Sequence, residues 1–148
     1  MRFLASTLAV LLVACPSVDE EPDRSNVCGD LSRAQVYRAA LPPQESSGDL
    51  DVRLLSSDPA PPNTEGSLWT LALSDDNGGP EDACSCTASP FAPDHGQGTS
   101  SSTCTPGDSP QLLELEVDLV MPALWEVTIE VTCPQASAEV LFVFCAEG

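Results

Sequence analysis

The chain has 148 residues, with 5 Lys and Arg against 23 Asp and Glu, a formal charge of −18, and no lysine. This length supports one domain with a real core. The charge repels phosphate backbones and anionic headgroups, which excludes nucleic-acid binding and membrane docking by electrostatics alone, and the acidic residues read as a solvated exterior.

The N-terminus carries Arg2 and then a short apolar run from Phe3 to Val13. That run falls short of the roughly 20 apolar residues a spanning helix needs, and it matches the charged and apolar regions of an export signal. Its end, Leu12-Val13-Ala14-Cys15, resembles the lipobox of bacterial lipoproteins. The resemblance implies cleavage before Cys15, fatty acyl chains such as palmitate on that cysteine, and attachment to a membrane of the cell envelope. Residues 1–14 are then the signal peptide, and the domain faces the periplasm or the cell exterior. Several acyl chains on one cysteine suffice for stable anchoring. After cleavage four arginines face 23 acidic residues, a formal −19.

Residues 15–27 comprise the lipidated cysteine and an acidic tether. From Pro16 to Val27 there is no periodicity, and two prolines and five charges stand in twelve residues. At about 5–6 Å × √n for a flexible coil, that length holds a domain roughly 20 Å from the lipid.

Residues 28–148 form the folded domain, dominated by the two-residue period of half-buried strands. Gln35 to Leu41 fits a first strand or a short helix. Leu50, Val52 and Leu54 alternate with Asp49, Asp51 and Arg53. Trp69, Leu71 and Leu73 form the next apolar face, and Cys84, Cys86 and Ala88 another. Leu113, Leu115, Val117 and Leu119 alternate with Glu114, Glu116 and Asp118. Trp125, Val127, Ile129 and Val131 alternate with Glu126, Thr128 and Glu130. The run Val140 to Cys145 is apolar on both faces. Asp58 to Pro62 cannot be a central strand, Asp75 to Pro80 is a strong reversal, and Gly98 to Thr103 is a polar loop. Six or seven short strands between such turns predict an antiparallel β-sandwich.

With Cys15 set aside for lipid, Cys28, Cys84, Cys86, Cys104, Cys133 and Cys145 remain. Six cysteines in an oxidising compartment predict up to three disulfides, with 15 possible pairings. A thiolate metal site is the rival use, but C-x-C is not the C-x-x-C spacing of a zinc knuckle.

Two segments carry a family resemblance. Pro90-Phe91-Ala92-Pro93-Asp94-His95-Gly96-Gln97-Gly98 and Met121-Pro122-Ala123-Leu124-Trp125 are similar to the paired signatures of YtkA-like or FixH-like extracytoplasmic domains. There the first reads Pro-Phe-Met-Pro-Asp-His-Gly-His-Gly and the second Phe-Met-Pro-Gly-Leu-Trp. Ser57 to Pro62, Leu68 to Thr70 and Phe144-Cys145 also fit, so the resemblance covers Cys28 to Gly148. It implies an all-β, immunoglobulin-like sandwich of about seven strands. It also implies a Cys28–Cys145 bond, because those two cysteines occur together in the family. Cys84 and Cys86 would then pair with Cys104 and Cys133, since neighbours two apart on one strand face do not easily bridge.

The family's His- and Met-rich loop suggests copper, because imidazole and thioether suit Cu(I). Here His95 and Met121 are the available ligands, and Asp94 would orient the imidazole. Ala92 replaces the family's Met and Gln97 its second His, so two soft ligands remain. The structural reading is a tight loop end with Gly96 at positive φ and Asp94 satisfying backbone amides. Met121, Trp69 and Trp125 have core roles on the same reading.

Catalytic signatures are absent. The serines have one possible base, His95, without a G-x-S-x-G motif, and there is neither a P-loop nor a dinucleotide fingerprint. The sequence therefore points to a lipid-anchored module that binds or scaffolds an envelope protein and uses no cofactor. A periplasmic copper handler with a degenerate His/Met site is the alternative.

Overall fold

Alternation of buried and exposed side chains sets most of the long strands, and their inward faces form one core. A computed structural model describes residues 25–75 and 83–147. The strands are β1 (Glu45–Gly48), β2 (Leu50–Asp58), β3 (Ser67–Asp75), β4 (Ser85–Ala92), β5 (Gln97–Gly98), β6 (Ser102–Thr103), β7 (Thr105–Pro106), β8 (Leu112–Val117), β9 (Ala123–Thr132) and β10 (Ser137–Ala146). A single helical turn, α1 (Ser25–Cys28), precedes them, and 3₁₀ turns occupy Leu31–Arg33 and Pro93–His95.

All pairings are antiparallel. One sheet runs β2-β3-β8-β7; the other runs β1-β10-β9-β4-β5, with β6 also on β4. Setting aside β1 and the two-residue β5 and β6 that flank β10 and β4, and keeping the two-residue β7, the first sheet holds the first, second, fifth and fourth strands and the second holds the third, sixth and seventh. That is the immunoglobulin distribution. The alternations at Leu50–Leu54, Trp69–Leu73, Leu113–Val117 and Trp125–Val131 all point inward as expected. Gly98–Thr103 departs from a plain loop: its ends form β5 and β6, which cap the outer edge of β4. The expected reversal after Asp75 falls, from residue 76, outside the described residues.

The core is pinned by aromatic rings. Trp69 meets Phe142 and Phe144 edge-on, with centroids 5.9 and 5.5 Å away. Tyr37 reaches Phe144 at 6.4 Å, and its hydroxyl oxygen accepts the Ser57 N–H at 2.8 Å. Such pairs contribute about 0.5–1.5 kcal/mol each beyond area burial. Trp125 is fully buried on β9, and its indole N–H donates to the Met121 carbonyl at 3.0 Å.

A second cluster lies on the opposite face of the β9–β10 pair. Leu124 and Val143 point outward from the sandwich, yet both are buried, together with Cys28 and beside Ala34 and Leu141. They are covered by residues 28–35, which cross the outer face as a strap. Gln35, expected in a strand or helix, is in neither. Its backbone N–H donates to Val143 O at 2.7 Å, and its side-chain carbonyl accepts the Val143 N–H at 3.1 Å. Arg33 pairs with Glu126 on the outer face of β9. Within the strap, Asp30 caps the Leu31–Arg33 turn by accepting the Ser32 N–H at 2.9 Å. The hydrogen bonds from Ser32 hold its carboxyl below the usual aspartate range. The cap is therefore present above the ordinary aspartate pKa and is lost as pH falls through the depressed one. After Gln35 the chain tucks beneath the edge, where Leu41 and Leu54 exchange backbone hydrogen bonds of 2.9 Å and link the strap to β2.

Two truncations separate core from strap. Phe142→Ala should cost about 3–5 kcal/mol and Leu124→Ala about 2–5 kcal/mol in urea unfolding with the disulfides intact, although Leu124 faces away from the core. Leu68→Ala, on an exposed outer face, should stay within about 0.5 kcal/mol. Leu124→Ala behaving like Leu68→Ala would show that the strap contributes no packing.

Candidate functional site

The two signature segments meet at one end of the sandwich, where β4 ends and β9 begins. Pro93 starts a 3₁₀ turn, and Gly96 ends it in the left-handed region at φ 61° with its N–H donating to Pro93 O at 3.2 Å. A Cβ at Gly96 would touch nothing within 4 Å, so backbone conformation alone favours glycine there. His95 is exposed on this turn.

Asp94 lies against the strap, where a Cβ on Gly29 would sit 2.8 Å from Asp94 Oδ2. Gly29 also has φ 59°. The turn and the strap thus meet at Gly29, where the left-handed backbone conformation favours glycine.

Met121 packs against the core, and its carbonyl is tied down by Trp125. Ala92, the position where the resembling family has Met, is fully buried on the inward face of β4. A methionine there would overpack the core, at about 1–3 kcal/mol, instead of joining a surface loop. Gln97 is exposed in β5. Among the described residues no three His, Cys, Asp or Glu side chains gather to hold a metal ion. His95 is exposed and Met121 is half-buried against the core, so this end offers at most two soft ligands.

The cysteines are a clearer constellation. Cys28 bonds Cys145, with Cα atoms 5.6 Å apart, and fixes the strap to the last strand. Cys84 bonds Cys133 at a Cα distance of 4.2 Å. This follows from register, because Ser85 faces Thr132 and the next pair outward is Cys84 and Cys133. Cys86 bonds Cys104 at a Cα distance of 5.1 Å, and the Cys104 N–H donates to Cys86 O at 3.0 Å. That bond pins the crossing from β6 in one sheet to β7 in the other. The sequence separations are 117, 49 and 18. On the chain-entropy account the shortest loop contributes about 3 kcal/mol and the longest nearly 5. Cys15 lies outside the described residues.

The chain is thus a disulfide-stapled, all-β sandwich of immunoglobulin strand order. Compared with family models, with curated proteins and with solved structures, it matches none.

Sequence reasoning missed the strap. Arg33, Gln35 and Tyr37 have no periodicity to mark them, and their partners lie far along the chain. Asp30 and Ser32 did carry a readable signal, the spacing of a side-chain cap.

Two measurements test these assignments. Intact mass after alkylation in denaturant should show no adduct from these six cysteines without reductant and six after reduction; two or more before reduction would indicate free thiolates. In Cu(I) competition titrations the wild type should show no saturable site, and His95→Ala should bind as the wild type does. A single tight site abolished by either His95→Ala or Met121→Leu would restore the copper reading.

Proposed function

We propose that the protein is a lipid-anchored module of the cell envelope, of the YtkA-like or FixH-like extracytoplasmic kind, whose sandwich binds or scaffolds an envelope protein. The observation that carries the proposal is the division of labour among seven cysteines. Cys15 stands at the end of an export-type apolar run, and the other six are paired within the domain. Paired cysteines belong to an oxidising compartment. A cysteine left over at a lipobox has a chemical use, as the acyl acceptor.

A groove of about 550 Å³ lined by Leu68, Ser102, Thr103, Thr105 and Glu116 offers a mixed polar and apolar surface to a protein partner. Copper is not adopted, because His95 is exposed while Met121 packs against the core.

The deciding experiment is Cys15→Ser. The variant should leave the membrane fraction or stall as an uncleaved precursor, because the acidic domain has no strong membrane affinity of its own. Mature-sized variant that still pellets with membranes and resists a carbonate wash would overturn the anchor. A pull-down from detergent-solubilised envelopes, with the lipidated form as bait, tests the binding role. Recovery of no specific protein at stoichiometric yield would overturn it.

A further inference from the structure

The exposed apolar side chains are not scattered. Among the described residues, five of the seven large ones lie on the strap or at the end of the sandwich it crosses. Val27, Leu31 and Val36 belong to the strap or its approach, and Val36 is 86% exposed. Phe91, 43% exposed, stands on the outer face of β4, in register with Glu126, the partner of Arg33. Val120 leads into β9. Single exposed apolar residues need no explanation, whereas a concentration on one face marks an interaction surface.

We propose that this strap face rests on the bilayer that carries the protein's own lipid, so that the sandwich has a fixed orientation on the membrane. The inference depends on the anchor proposed above. It is carried by where the chain leaves the fold. The described chain begins at Ser25 in α1, which packs on β9 beneath this same face. Ten peptide steps separate Ser25 from Cys15. Even fully extended they span at most about 36 Å, close to the roughly 33 Å length of a ten-residue strand. Whatever their conformation, the strap end stays within about one domain length of the lipid. At such short range weak apolar contacts act at high effective concentration.

Charge favours the same orientation. Arg33 and Arg38, both in this segment, are two of the three arginines among the described residues; Arg33 pairs with Glu126, the strap also carries Asp30, and Asp94 lies against Gly29. The third, Arg53, is paired with Asp51 on β2. Farther from the strap on the same sheet, Glu130 directly faces Glu139, with Glu45 on the neighbouring strand. The outer face of the other sheet carries Glu114 and Glu116. Anionic headgroups repel these two carboxylate-bearing regions, whereas at the strap Arg33 and Arg38 offset part of the acidic charge.

The test uses the full-length lipidated protein in vesicles of phosphatidylethanolamine and phosphatidylglycerol with brominated acyl chains. Trp69 and Trp125 are fully buried and supply a constant background. Phe91→Trp reports on the strap face, and Leu68→Trp reports on the opposite sheet. Emission from the Phe91→Trp protein should fall in bromolipid, and emission from the Leu68→Trp protein should not. Flotation of the same samples reads the anchor separately. Protein that floats with both probes equally quenched, or neither, overturns the orientation and leaves the anchor standing. Protein that fails to float overturns both. Shielding of the Phe91→Trp probe from acrylamide that tracks protein density in unbrominated vesicles assigns the face to a second copy and also overturns the proposal.

Discussion

From Val140 to Cys145 strand β10 is apolar on both faces, and that constraint organises much of the molecule. A sandwich covers one face of each sheet and leaves the other to water. Phe142 and Phe144 use the inner face, while Val143, with Leu124 beside it on β9, needs a second cover. The segment from Cys28 to Gln35 provides it. Once there, it must be held, and it lacks the periodic pattern that would make it a strand. The holding is therefore done by discrete contacts: the Cys28–Cys145 bond, the Gln35 pair of hydrogen bonds to Val143 and the Arg33–Glu126 ion pair. Gly29, next to Cys28, lies against Asp94 of the signature turn at that same end of the strap.

The inner core follows a different rule. In antibody domains a disulfide joins the two sheets next to a buried tryptophan. In this chain Trp69 from one sheet meets Phe142 and Phe144 from the other, and the three disulfides lie toward the rim. Aromatic area holds the sheets face to face, and covalent bonds fix the strap, the β4–β9 edge and the crossing between sheets. The arrangement tolerates two buried polar atoms, Ser67 Oγ and Trp69 Nε1, that have no partner among the described residues. Each carries a cost of about 1–3 kcal/mol that packing must offset.

How much of this the sequence discloses depends on the range of the interaction. Leu50 to Leu54 and Trp125 to Val131 are legible because one-sided burial imposes a period of two on adjacent residues. Val140 to Cys145 discloses that a second cover exists, but not that residues 28–35 supply it, since nothing local encodes a partner more than a hundred positions away. Tyr37 is illegible for the same reason. The cysteines are intermediate: their even number and the C-x-C spacing restrict the pairings, and strand register then selects Cys133 for Cys84. At the signature loop, the glycine turn is readable at Gly96. The burial of Ala92 is not, because Pro93 ends the alternation one residue later and hides which way Ala92 faces.

The Cys28–Cys145 bond has a mechanical consequence. Force applied to the N-terminus of a sandwich ordinarily peels the first edge strand away, one hydrogen bond at a time. Here tension arriving at Cys28 crosses a covalent link into Cys145 and loads β10, a strand flanked by β1 and β9. The edge strands β1 and β2 lie off the direct path from Cys28 through Cys145 into β10. A domain pulled from its N-terminal side would therefore resist unzipping at the edge and yield only when an interior strand is displaced.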